Sequence, residues 1–215
     1  MTRWQKRLLA ATCAFIAAYA MAYFAGLRIN LTDSIATGIW LTQDRPVVVG
    51  EYVMVCPPDN EVVRLGHSRG YIPAGWCPGG YGPLMKRVAG VAGAQVAIHA
   101  DGMYVDGARL PHSAPLDQDG AGRPIVAWTP SSFQLASDQV LLYGDGTAAS
   151  FDARYFGPVP RSLVLSVIVP VLVQTRREEP KDLKQQAADE FAALRVRLQR
   201  DKMALVEAER AHERR

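Results

Sequence analysis

Cysteine and histidine are scarce in this chain, with three of the first and four of the second among 215 residues. Cys56 and Cys77 have no His-rich companion, so a zinc site is poorly supplied and neither a metal nor a cofactor is expected. None of His67, His99, His112 and His212 stands in a local signature of a serine–histidine triad. Clusters of basic and aromatic residues are also missing. With 24 Lys and Arg against 21 Asp and Glu, the formal charge is only +3 and is spread along the chain, which does not imply nucleic acid as a partner. From Ile39 to about Gln174 no helical period is sustained, which argues against a helix bundle there. Nor is there a second long hydrophobic run. Leu163 to Val173 is apolar for 11 residues but holds Pro170, and it reads as a buried or edge strand rather than a membrane span.

One long run does exist. Leu8 to Leu27 is a stretch of 20 residues without a charge, preceded by Arg3, Lys6 and Arg7. A helix of that length spans roughly 30 Å, the hydrocarbon thickness of a bilayer. A cleaved secretory signal is the competing reading, because small residues such as Ala17-Ala18-Tyr19-Ala20 offer cleavage sites. The run is longer than a typical signal core, which favours an uncleaved, single-pass anchor. Positive charges on its N-terminal side then leave the N-terminus in the cytoplasm and the rest outside. In a Gram-negative cell this is an inner-membrane protein with a periplasmic domain. Three regions are expected: a cytoplasmic stub and anchor over 1–28, a periplasmic domain over 29–175, and a charged tail over 176–215.

The middle region reads as mainly β. Val47-Val48-Val49, Tyr52-Val53-Met54-Val55, Met103-Tyr104-Val105 and Val140-Leu141-Leu142-Tyr143 are strand-like and are separated by Gly and Pro. The stretch between Cys56 and Cys77 is rich in Pro, Gly and Arg and reads as a loop. In an oxidising compartment those two cysteines can pair, closing about 20 residues and stabilising the fold by roughly 3 kcal/mol. Two unpaired thiols are the alternative. The tail carries 11 basic and nine acidic residues. Leu183, Ala187, Phe191, Leu194, Leu198 and Leu205 fall on one helical face, so a helical extension is expected. Both a solvated extension and an element that docks on another protein fit that pattern.

Two residues carry the candidate chemistry. Asn30-Leu31-Thr32-Asp33-Ser34 follows the anchor directly, and Ser34 is a candidate nucleophile, although all the polar residues here also favour turns. A serine needs a base. Lysine serves when burial makes its ammonium easier to deprotonate, and Lys86 lies among the strand-forming residues of Leu84-Met85-Lys86-Arg87-Val88-Ala89-Gly90. Charged side chains are seldom buried without a partner or a function.

Three stretches in this order carry a resemblance: Asn30 to Ser34, Leu84 to Gly90, and Gly144-Asp145-Gly146 with Ser150-Phe151-Asp152-Ala153-Arg154 through Pro160. Together they resemble the type I signal peptidase family. A short chain with one anchor, Cys56-Pro57-Pro58 and Gly75-Trp76-Cys77-Pro78 look closest to its TraF-type branch from conjugative plasmids. The resemblance covers roughly residues 5 to 175. It implies a signal-peptidase-like β catalytic domain with Ser34 as nucleophile and Lys86 as general base. Thr32 would be an oxyanion donor beside the Ser34 N–H, and Ser150 the hydroxyl that orients the lysine. Asp152 and Arg154 match an ion pair that shapes the site, and in the TraF branch the aspartate is itself implied as essential.

What the resemblance implies about function is a membrane-anchored serine endopeptidase that processes exported precursors. Its foremost substrate would be the conjugative pilin, with cyclisation possible by aminolysis of the acyl-enzyme. A general type I signal peptidase and a non-catalytic anchored module of the transfer apparatus are the rival readings. Two departures from the family pattern stand out. Ala36 occupies a position where the family usually has proline, so the loop after Ser34 is expected to be less rigid, and Trp40 replaces a more usual tyrosine.

Overall fold

The computed structural model describes residues 1–128 and 132–174. The first element, α1 (Arg3–Phe24), is a 22-residue helix with no buried residue, long and apolar enough to cross a membrane. Its start is fixed by a capping box in which the Thr2 hydroxyl accepts from the Gln5 N–H and the Gln5 side chain accepts from the Thr2 N–H. It stops earlier than the uncharged run does. Gly26 takes a positive φ of 92°, and the chain turns into β1 (Leu27–Asn30). Leu27, the last residue of the run, therefore belongs to a strand.

The rest of the described chain is mainly β, as the sequence pattern indicates. Between β1 and the final strand lie β2 (Thr37–Gln43), β3 (Tyr52–Val55), β4 (Ala74–Cys77), β5 (Leu84–Gly90), β6 (Gln95–His99), β7 (Gly102–Val105), β8 (Ala108–Arg109), β9 (Phe133–Gln134), β10 (Gln139–Tyr143) and β11 (Val159–Pro160). The final strand is β12 (Val164–Gln174). Seven of them form one sheet in the order β1-β2-β12-β3-β5-β10-β11, and a second sheet has the order β8-β7-β6-β9. The small sheet packs Val96, Ile98, Met103 and Val105 onto Ala89 of β5 and onto Leu141 and Tyr143 of β10.

Strand β12 has a mixed character. Val164 to Ser166 pairs with β3, and only at Val167 and Ile168, both buried, does the strand lie between β2 and β3. Beyond Ile168 only β2 remains as a partner, and the register shifts between Pro170 and Leu172. Proline, which has no N–H for a ladder, is tolerated at such a bulge on a one-sided strand. The expected buried or edge strand is thus both: buried at Val167 and Ile168 and one-sided beyond them.

The stretch between the cysteines is more structured than expected. It contains α2 (Glu61–Ser68), started by Asn60, whose side chain accepts from the Val63 N–H at 2.9 Å. Two turns are too short to display a helical period, which is why the sequence read as loop. Val63 is fully buried in the main core beside Ile72, Phe151 and Tyr155. A disulfide joins Cys56, just after β3, to Cys77 at the end of β4, with Cα atoms 5.5 Å apart. The helical tail expected over 176–215 lies outside the described residues.

The bridge closes a segment that carries α2 and contributes to the main core. Replacing Cys56 and Cys77 together by serine should lower the unfolding free energy of the full chain by about 3 kcal/mol. Urea titrations of the detergent-solubilised protein with and without the two substitutions measure this.

Candidate active site

Strand alternation places the lysine. Successive side chains of a strand point to opposite faces, and on β5 Lys86 shares the face of Val88, while Val53 of β3 lies directly opposite it. Val53 and Val88 belong to the main hydrophobic core, so Lys86 is drawn in with them and is only 3% exposed. Loss of hydration is the largest influence on its ammonium, and the charge of Arg154 acts in the same direction. The carboxylates of Asp152 and Asp145 oppose them, and the net result is a pKa lowered to about 8.

The nucleophile candidate reaches this lysine through a second hydroxyl. Lys86 Nζ donates to Ser150 Oγ at 2.8 Å, and Ser150 Oγ donates to Ser34 Oγ at 3.4 Å. Ser34 sits in the connection between β1 and β2, and its carbonyl accepts from the Gly146 N–H at 3.0 Å. This close approach depends on glycine at 144. A Cβ there would lie 2.2 Å from Ser150 Oγ and 2.6 Å from the Ser34 carbonyl oxygen. The Gly144-Asp145-Gly146 stretch thus lets the β10 end press against both serines.

Asp152 and Arg154 are fully buried and paired, with Arg154 Nη2 to Asp152 Oδ2 at 2.7 Å and Nε to Oδ1 at 2.8 Å. Asp152 caps the short helix α3 (Ala153–Phe156) by accepting from the Arg154 N–H, and it also accepts from the Gly144 N–H at 2.8 Å. Burial pushes its pKa up, but the hydrogen bonds and charge of Arg154, the Lys86 charge and the Gly144 N–H together hold it below the ordinary carboxylate value. Arg154 in turn donates to the carbonyls of His112, Ala114, Ala148 and Ser150. Asp152 therefore acts on the site through backbone and through Arg154. Its side-chain bonds go to these groups and not to the Ser34 or Lys86 side chains.

Thr32 lines the same cleft as Ser34. Its hydroxyl donates to Asn30 Oδ1 at 2.9 Å, and its N–H donates to the same oxygen at 3.1 Å. An oxyanion would have to draw that hydroxyl off Asn30. The cleft itself encloses about 330 Å3 and is walled by Tyr71, Phe151, Tyr155, Leu116 and Ile125. The Tyr71 hydroxyl donates to Asp119, which also pairs with Arg123 at 2.7 Å, and Arg69 donates to the Pro124 carbonyl at 2.6 Å. These contacts fasten the disulfide-bridged segment to the 117–125 turn across the cleft. Among the described histidines, His67 bonds the Ile72 carbonyl and His112 the Asp145 carbonyl, while His99 packs edge-on against Tyr104.

The structure thus brings Ser34, Lys86 and the Ser150, Asp152 and Arg154 group together from three separated stretches of chain. The sequence reading did not assign roles to Asn30, to Tyr71 and Asp119, or to Asp145, whose carboxylate accepts from Tyr52 and pairs with Arg87. Only Asn30 had a local signal, since an asparagine two residues before a threonine N–H favours such a turn.

The family model described as signal peptidase, peptidase S26, matches residues 1–172. A plasmid transfer protein TraF from Escherichia coli is 46% identical over 176 residues, 80% of this chain and 99% of that protein. A second one from the same species is 47% identical over 70% of this chain and 85% of its own length. A probable conjugal transfer protein TraF from Sinorhizobium fredii is 40% identical over 75% and 85% respectively.

Burying Lys86 also has a consequence for stability. Its folded pKa lies below its unfolded one, so below pH 8 folding must strip water from a charged ammonium. That penalty is full there and fades as pH rises toward the unfolded value near 10.4. The change from 10.5 to about 8 corresponds to roughly 3 kcal/mol, from which the lost Ser150 bond removes about 1. Lys86→Met is therefore expected to raise the unfolding free energy at pH 7 by about 2 kcal/mol. The gain should shrink by pH 10, as urea titrations at the two pH values would measure.

Proposed function

Since the chain belongs to the signal peptidase family, peptidase S26, we propose that it is a membrane-anchored serine endopeptidase that matures the conjugative pilin. The observation that carries this reading is the hydrogen-bonded line from buried Lys86 through Ser150 to Ser34. The relatives named for plasmid and conjugal transfer direct it to conjugation.

In the resting state the lysine is protonated and its N–H bonds run outward to Ser150. At higher pH the neutral amine becomes an acceptor, and the Ser34 hydroxyl can give up its proton toward Lys86 with Ser150 holding the amine in place. Ser34 Oγ then attacks a peptide carbonyl beside small side chains. The developing oxyanion takes the Ser34 N–H and the Thr32 hydroxyl once the latter turns from Asn30. The leaving amine takes the proton from Lys86, and an ester to Ser34 remains. Asp152 and Arg154 act as positioning residues, since they hold the Ser150 carbonyl and the Gly144 N–H that frame the lysine.

Two nucleophiles can resolve the ester. Water gives a linear product. The substrate's own N-terminal amine gives a cyclic one, lighter by one water, and returns the proton to Ser34. An amine held nearby gains high effective molarity, so it can outrun water. Helix α1 serves this chemistry by confining enzyme and membrane-bound precursor to one surface. With Arg3, Lys6 and Arg7 on its N-terminal side, the reading places the catalytic domain in the periplasm. A general signal peptidase would use the same groups on many precursors.

Mass spectrometry of the pilin precursor incubated with the full chain tests this. The parent should trim it with a rate that rises as pH increases through about 8, because the neutral lysine is the active form, and Ser34→Ala should leave it intact. Processing by Ser34→Ala would overturn the catalytic reading. Equal cleavage of unrelated exported precursors would favour the general signal peptidase.

A further inference from the structure

The loop around Ser34 lacks a proline, yet it is tied down by side chains. Asn30 is the last residue of β1, paired with Gly38 of β2, and its carboxamide is turned under the loop and only 5% exposed. Its Nδ2 donates to the carbonyls of Thr32 at 2.8 Å, Ile35 at 3.1 Å and Ala36 at 3.1 Å. Its Oδ1 takes the Thr32 N–H and hydroxyl. Every polar atom of the amide is thus spent on residues two to six further along, and Ser34 lies between them. A second clamp comes from outside the loop. The indole N–H of Trp40 donates to the same Ala36 carbonyl at 3.1 Å. Trp40 is itself held in a buried cluster with Ile35, Met54 and Ile168, and its ring packs at a 55° tilt against Tyr52 with centroids 5.0 Å apart.

A turn that served only to reverse the chain would not need such a buried amide. Six residues already join paired strands, and most of the bonds point at the carbonyls of Thr32, Ile35 and Ala36, which hold the loop on both sides of the Asp33-Ser34 segment. We propose that Asn30 is a positioning residue for the nucleophile. Together with the Trp40 indole it locks the carbonyls of residues 32, 35 and 36 and thereby sets the direction of the Ser34 hydroxyl and N–H. This rests on the reading of Ser34 as the nucleophile. The clamp takes over the stiffening that a proline at 36 would have provided. It also parks the Thr32 hydroxyl on Asn30 Oδ1, within the cleft, until an oxyanion forms.

Asn30→Asp is the diagnostic change. It keeps the size and the two acceptor bonds, but it sets a carboxylate oxygen against three carbonyl oxygens. Its charge would also hold the Thr32 hydroxyl more tightly than the amide does. Both effects act on the acylation step rather than on substrate binding.

The test uses the full chain in detergent micelles with the p-nitrophenyl ester of an acetylated dialanine, where nitrophenolate release reports acylation of Ser34. Asn30→Asp should lower kcat by about tenfold to a hundredfold with KM within about threefold of the parent, since misplacing a reacting atom by an ångström costs on that order. Trp40→Phe, which removes one N–H and keeps an aromatic ring, should lower kcat by roughly threefold to tenfold at similar KM. If Asn30→Asp keeps kcat within twofold of the parent, or if KM rises as much as kcat falls, the positioning role is overturned. Should Asn30→Asp not fold, an unchanged kcat in Trp40→Phe overturns it instead. Release that persists in Ser34→Ala removes the nucleophile reading and the proposal with it. A dead Ser34→Ala beside a fully active Asn30→Asp removes the proposal alone.

Discussion

An amine enclosed at the core face of a strand is the constraint on which the other features of the site depend. Lys86 cannot leave that position, because β5 is paired on both sides, with β3 and with β10, and the strand period turns residue 86 inward with Val88. Folding therefore accepts a group that water would hold better, and the protein surrounds it with a small set of polar partners. Ser150 supplies a hydrogen bond. Asp152 and Asp145 supply negative charge, while Arg154 works against them. The balance lowers the pKa of the amine to about 8, well below that of a solvated lysine.

The lysine's hydrogen-bond partner is Ser150, and the Ser150 carbonyl is held by Arg154 of the buried Asp152–Arg154 pair. A buried ion pair is weak evidence for stability, because desolvation offsets much of the attraction, but removing one partner leaves a costly lone charge. Here both partners spend their bonds on backbone: Asp152 on the end of β10, Arg154 on carbonyls of the 112–114 and 147–150 segments. The pair is best understood as a joint between loops that would otherwise move independently.

Much of this was legible in the sequence, for identifiable reasons. The long apolar helix announced itself through a charge-free run, and the β class through short apolar segments broken by Gly and Pro. Two cysteines flanking a polar stretch pointed to their pairing. The residues of the site were found through three motifs in order, since no periodicity connects Ser34 to Ser150 across 116 positions. What stayed hidden was of two kinds. Helix α2 was too short to show a period, and its cap at Asn60 resembles any turn. The long-range side-chain bonds, Tyr71 to Asp119 and Tyr52 to Asp145, leave no local trace at all. Ala36 was read as a sign of a looser loop. In the structure Asn30 and Trp40 both hold the Ala36 carbonyl, bonds between side chains and backbone that the substitution of proline did not reveal.

An apolar N-terminal helix, a disulfide-braced cleft and a buried lysine fit the proposed peptidase that meets its substrate at a membrane surface. The proposed account turns on the protonation state of one amine. Labelling lysine with 15N and following the Lys86 Nζ resonance against pH, in the full chain in detergent and with Lys86→Met to assign the signal, measures it directly. The account predicts a midpoint near 8. A midpoint near 10.4, the ordinary value for a solvated lysine, would contradict it.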